Sequence, residues 1–167
     1  MQFVYKELSE IPNDSPLFKP CVGEFDGVKV HRTMKVVYGK KRTILVTWNP
    51  GLYTAQALTV EQDIKKAIEE LSEIKSRWQA RSESKLPIKG KKPTEQSVRN
   101  QCEAIMSRPY MQKLIPVRVL KDSKGNLLID YTIDVNALTL ITNTYLGKNI
   151  LITNRDEWDN EKIIRAY

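Results

Sequence analysis

Histidine occurs once in this chain and cysteine twice, and those shortages remove whole classes of chemistry. A lone His31 cannot make a histidine relay or a His-rich metal site, and its alternating surroundings make it a half-exposed strand residue. Cys21 and Cys102 are too few and too far apart for a metal knuckle or a disulfide framework, so they read as ordinary thiols of a reducing compartment. No apolar run approaches the roughly 20 residues that cross a bilayer, and the start MQFVYKELSE lacks the basic head and apolar centre of a signal peptide. A cytoplasmic location with no membrane partner is expected. The 7 glycines are scattered and form neither a phosphate-binding loop nor a dinucleotide fingerprint.

What is abundant is positive charge. The net charge is +7, which favours polyanionic partners, because Lys and Arg that neutralise phosphates release condensed counterions. With 41% apolar and 28% charged residues over 167 positions, the balance is that of one ordinary globular domain.

The patterning predicts an α+β fold. Residues 1–27 read as an irregular lead-in, with Pro12, Pro16, Pro20, Gly23 and Gly27. Val28, Val30, Met34, Val36 and Tyr38 alternate against Lys29, His31, Thr33 and Lys35; Ile44, Val46 and Trp48 repeat the period after a turn at Gly39, Lys40 and Lys41. The result is a hairpin over 28–48 with a basic tip. From Thr59, whose pairing with Gln62 resembles a capping box, Val60, Ile64, Ala67, Ile68, Leu71, Ile74 and Trp78 form a helical stripe. A second helix, from about Thr94 to Arg108, carries Val98, Cys102, Ile105 and Met106 and completes a long helical hairpin over 59–108. A second β-hairpin follows over 115–133; then Asp134 caps a short helix, ILIT forms a strand and a last helix begins. A mainly antiparallel sheet from the two hairpins plus that strand is expected, in a single domain over 1–167.

Candidate contact residues follow from charge and aromatics. RSESKLPIKGKKP, between the two long helices, sets Arg81, Lys85, Lys89, Lys91 and Lys92 against Glu83 alone, and with Lys40, Lys41 and Arg42 of the hairpin tip it is the natural phosphate-contacting set. Lys is a point charge, so such contacts carry little base information. Trp48 and Trp78 fall at core-facing periods, whereas Trp158 lies in a polar turn. Carboxylates offer one enzymatic alternative, a stand-alone Mg²⁺-dependent nuclease using Asp130, Asp134 and Glu161. Against it, Asp130 sits on the polar side of a strand, and Asp134 and Asp159 occupy helix-cap positions. A helical-arm module that binds protein and no DNA is the other alternative.

The closing stretch GKNILITNRDEWDNEKIIRAY resembles a segment of insertion-sequence transposases of the DDE type, in the branch whose ribonuclease-H-like catalytic domain carries a β-rich insertion before its last acidic helix. Ile150 to Thr153 match the family's strand, Asp156 and Trp158 its turn, and Tyr167 its motif tyrosine, which precedes the final catalytic Glu. GVKVHRTMKVVYGKKRTILVTWNPGLY, the helix after it, the basic KGKKPT connection and the Asp-capped helix before ILIT are similar to that insertion in the same order, so the resemblance covers nearly the whole chain.

The resemblance implies a role in cut-and-paste DNA transposition: gripping the phosphate backbone of transposon ends and bracing the catalytic core, with the remainder of the transposase and a second subunit of a homodimer as partners. The positions matching the family's catalytic acids fall outside this chain. No catalytic residue, metal ligand or cofactor is therefore expected in it, and no strand cleavage by it alone; Mg²⁺ is expected for the full-length parent. Tyr167 matches a residue that approaches the DNA backbone near the cut. Relatives carry a Trp directly before the strand matching ILIT, where it stacks on a displaced base; Asn149 stands there in this chain and offers no π face. Trp158 is the better-placed aromatic.

Overall fold

The computed structural model describes residues 2–21, 23–83 and 94–167. The basic connection bearing Lys85, Lys89, Lys91 and Lys92 lies outside them. The fold is α+β and the chain packs as two compact units, residues 1–58 with 139–167, and residues 59–138. No described helix is long and apolar enough to cross a membrane.

The first unit is built on a four-stranded antiparallel sheet in the order β1 (Lys19–Pro20), β2 (Lys29–Val37), β3 (Lys40–Trp48), β6 (Lys148–Thr153). β3 is a central strand, and Thr43 to Thr47 are all buried, because both sheet faces are covered. On one face Ile44 and Val46 pack with Val37 and with Leu8, Ile11 and Phe18, supplied by helix α1 (Gln2–Ser9) and the segment after it. On the other, Leu45 packs with Cys21, Val30 and Ile163, the last from helix α6 (Asn160–Ala166). Burying side chains the size of Ile44 or Leu45 stabilises by about 2 kcal/mol each.

The lead-in over 1–27 thus contains α1, β1 and a 3-10 turn at Gly23–Phe25. The hairpin also differs from its sequence reading. The turn is the two residues Tyr38 and Gly39, with Val37 facing Lys40 across the ladder, so Lys40 and Lys41 belong to β3. Both turn residues have positive φ, 51° and 73°, the signature of the tight turn whose twist matches a right-handed hairpin. Tyr38, Val36 and Met34 are exposed rather than core-facing. On β2 the second covering layer reaches the Val30 end and leaves Met34 and Val36 exposed, whereas on β3 and β6 the same face stays buried as far as Thr43 and Thr153.

Helix α2 (Pro50–Glu83) begins at Pro50, not at Thr59, which lies inside it. Asn49 is the cap: its side-chain oxygen accepts from the Leu52 amide at 3.1 Å, and Pro50 occupies the first helical position, where a missing N–H costs nothing. Gly147, just before β6, has φ 78°, and a Cβ there would stand 2.7 Å from Tyr53 Cβ and 3.0 Å from the Asn49 carbonyl oxygen. No other residue fits so close an approach.

In the second unit the stripe of α2 is buried as its period predicts, at Val60, Ala67, Leu71 and Ile74. Helix α3 (Glu95–Ile105) buries Val98 and Cys102, and Thr94 caps it by accepting from the Ser97 amide. Arg108, just beyond α3, reaches back to Glu70 at 2.7 Å and Asp63 at 3.8 Å on α2, which closes the helical hairpin. A short helix α4 (Met111–Leu114) leads into β4 (Val117–Lys121) and β5 (Leu127–Tyr131). These strands form a two-stranded ladder of their own, not an extension of the first sheet. Their turn is organised by Asp122, whose carboxylate accepts from the amides of Lys124 and Asn126 at 2.8 Å each. Asp134 caps helix α5 (Val135–Thr144) by accepting from the Ala137 amide at 2.9 Å.

Candidate nucleic-acid interface

The distal end of the first unit's sheet gathers most of the described candidate residues. Register decides which side of the sheet each occupies. Thr43 faces Thr153, and Val36 faces Lys41, so Lys41, Thr43 and Thr153 share the face that carries α6. Lys40 and Arg42 share the opposite face with Lys35, to which Arg42 is paired. At about 3.3 Å per residue, the stretch from Thr43 to Lys40 spans roughly 10 Å. The tip cations therefore stand close to the turn that follows β6.

That turn, residues 154–159, is locked from several directions. The Arg32 guanidinium donates to the carbonyls of Trp158 and Asp156 at 2.7 Å each. The Thr43 hydroxyl donates to the Asp156 carboxylate at 2.6 Å. Asp159 caps α6 by accepting from the Lys162 amide at 2.7 Å, and Ile163 anchors that helix in the core with no exposed surface. These bonds fix the turn backbone with charge-assisted contacts, so its side chains are presented in set positions.

Trp158 is half-buried against the cluster of Val30, Leu45 and Ile163. Arg155 and Lys162 lie over its ring, 5.6 and 4.8 Å from the centroid. The indole thus organises a pair of surface cations. Tyr167 is exposed, and its hydroxyl lies 3.4 Å from the Thr153 hydroxyl, at the same sheet end.

Charge at the tip is unevenly matched. Lys35 is engaged by Glu7 at 2.7 Å and Glu10 at 2.8 Å, both on or just after α1. The hydrogen bonds from Lys35 to Glu10 and Glu7 raise the Lys35 pKa, and the same bond lowers that of Glu10. Lys40 and Lys41 are exposed, Arg42 is half-buried, and no acid pairs with these three among the described residues. Unmatched cations on a rigid ladder are the arrangement that phosphate oxygens can occupy with little further ordering.

The carboxylates behave differently. Asp130 is exposed on β5, Asp134 is a cap, and Glu161 lies in the first turn of α6. Among the described residues no three His, Cys, Asp or Glu side chains stand together as a metal site. Both cysteines are buried, and that burial pushes their thiol pKa values up, away from nucleophilic use. Trp48 is half-buried and Lys29 lies 5.0 Å over its ring.

Sequence reasoning missed Arg32, Arg155 and Lys162 as members of this surface, and it set Tyr38 on the apolar face of the first strand rather than in the turn. The pair Tyr38-Gly39 between two alternating runs was a usable signal for the turn, because a two-residue hairpin loop favours glycine there. Lys148 was also missed. It is 5% exposed, and its ammonium donates to the carbonyls of Leu8 at 3.2 Å, Thr144 at 2.7 Å and Ile11. Burial pushes its pKa down to about 8, with Asp14 pulling the other way. Comparison of the chain with protein-family models, with curated proteins and with solved structures finds no match.

Proposed function

We propose that this chain is a DNA-contacting part of an insertion-sequence DDE transposase, holding the phosphate backbone of transposon ends and bracing the catalytic core during cut-and-paste transposition. The observation that carries the reading is the set of unmatched cations Lys40, Lys41 and Arg42 at the sheet end where the Tyr167 hydroxyl meets Thr153, with the Arg155–Trp158–Lys162 cluster on the Lys41 face nearer Val30 and Leu45. In this reading the residues of the chain bind and position DNA. They do not cleave it, and Mg²⁺ belongs to carboxylates supplied by the rest of the transposase. Partner contacts with that remainder and with a second subunit complete the assignment.

Salt dependence tests it. Fluorescence anisotropy of a labelled 25-base-pair duplex between about 50 and 300 mM salt should show log affinity falling linearly with log salt. Replacing Lys40, Lys41 and Arg42 together with Gln should lower the magnitude of that slope by up to about 3, close to one for each phosphate no longer neutralised. An unchanged slope, or no retention of the unaltered chain on DNA at low salt, refutes the reading.

A further inference from the structure

Resting on that DNA-binding reading, we infer that Tyr38 is a base-stacking wedge, a ring carried at the hairpin tip to fill the gap beside an unpaired or unstacked base. The first observation is exposure. Tyr38 is 96% exposed, and Val36 and Met34 behind it are exposed at 69% and 44%. The second is backbone. Tyr38 holds φ 51° at the first position of a two-residue turn, where Asn or Gly would sit without strain and where no packing holds a tyrosine.

A bulky aromatic in a disfavoured backbone region, making no core contact, does nothing for the fold of this hairpin. Its chemistry points outward. Lys40, Lys41 and Arg42 follow directly after Gly39 and carry no acid partner among the described residues, so a polyanion drawn to the tip meets the ring beside its cations. Every base has a π face, so a ring presented in this way stacks without reading sequence. Paired bases inside a duplex are already stacked on their neighbours. The site therefore favours DNA in which a base has been freed, as at a mismatch, a bubble or a distorted strand end. Val36 and Met34 share the sheet face of Lys41 and give the displaced base and its sugar an apolar shoulder behind the ring.

The experiment uses the full chain and two 25-base-pair duplexes of one sequence, fully paired or with a central bubble of three nucleotides holding 2-aminopurine. The unaltered protein should bind the bubble about 5- to 150-fold more tightly than the paired duplex, the range that one stacked base provides. Binding should also quench the 2-aminopurine emission. Tyr38→Asn, which suits the turn and has no ring, should lose both the preference and the quenching while keeping the paired-duplex affinity and its salt slope. Tyr38→Phe should restore both. Full preference in Tyr38→Asn overturns the inference, as does a Tyr38→Phe variant that fails like Tyr38→Asn, since that would assign the effect to the hydroxyl. A fall in sedimentation mass of the DNA-free protein on Tyr38→Asn also overturns it, by making the tip a self-association surface. Failure of the unaltered chain to bind either duplex at low salt instead removes the DNA-binding reading itself.

Discussion

Replacing Lys148 with Met keeps the length of the buried stem and deletes only the ammonium, which makes it a clean probe of how α1 is held. In the native chain that ammonium donates to the carbonyls of Leu8, Ile11 and Thr144, and so joins the C-terminal end of α1 to the C-terminal end of α5. Removing it leaves those acceptors buried without their donor, at about 1–3 kcal/mol for each group left unsatisfied, while relieving the cost of burying a charge. The net expectation is a loss of about 2–4 kcal/mol near pH 7, with hydrogen exchange quickening first in α1. The pH dependence is more diagnostic. With a folded pKa of about 8 against an unfolded value of 10.5, the native state releases the Lys148 proton before the unfolded state does. The contribution of this titration to stability is therefore fully present above pH 10.5, and it is lost as pH falls through about 8. Urea denaturation of both proteins from pH 7 to 10.5 should show the native chain gaining up to about 3 kcal/mol on the Met variant, since each pKa unit is worth about 1.4 kcal/mol. A difference that stays flat or shrinks with pH refutes the reasoning. It would mean that the ring of carbonyls holds the ammonium charged more strongly than burial discharges it.

Two further outcomes are checked by thermal unfolding. Tyr38→Asn should stabilise the hairpin by about 1 kcal/mol and raise Tm by a few degrees, because the left-handed conformation costs a bulky residue about that much and the exposed ring gives nothing back; a lowered Tm would show that the ring packs. Asp159→Ala should cost about 1 kcal/mol through loss of the α6 cap, with Asp159→Asn largely neutral because its side-chain oxygen can still accept from the Lys162 amide.

Regular elements were legible in the residue order because their periods are local properties. The α2 stripe through Val60, Ala67, Leu71 and Ile74, the α3 face at Val98 and Cys102, and the alternation of the second hairpin all reappear as burial. Asn49-Pro50 was a legible helix start overshadowed by the Thr59–Gln62 pattern, and the competing signal won because Pro and Gly also end strands. Val4, Leu8 and Ile11 show a short helical spacing in the lead-in, but eight residues carry little weight alone, and α1 exists through its contact with Val37, Ile44 and Val46. What no period could give is which side of a strand remains uncovered. Met34, Val36 and Tyr38 continue the alternation of Val30, yet on β2 the layer from Cys21, Phe25 and Ile163 covers only the Val30 end. Nor can composition foresee Lys148, because burying a cation is favourable only where separate chain ends bring acceptors to it.

Lys148 and the candidate interface are linked through α1. Lys148 holds the carbonyl end of that helix, and its side chain Glu7, with Glu10 just beyond, neutralises Lys35 on the distal half of β2. Lys35 faces Arg42 across the ladder, so the acids of α1 remove the like-charge neighbour that would otherwise oppose Arg42 at close range. Docking of α1 thus does two things at once: it covers one face of β3 and it confines the unmatched charge to Lys40, Lys41 and Arg42. On the other face, Arg32 uses its guanidinium to fasten the 154–159 turn, leaving Lys41 free beside the Thr43–Asp156 bond. The cations that are buried or paired hold the backbone in place, and those left unmatched at the tip are free to meet phosphate. That division of one basic surplus into a structural half and an exposed half makes the sheet end a rigid cationic edge, for which binding a polyanion requires little further loss of conformational freedom.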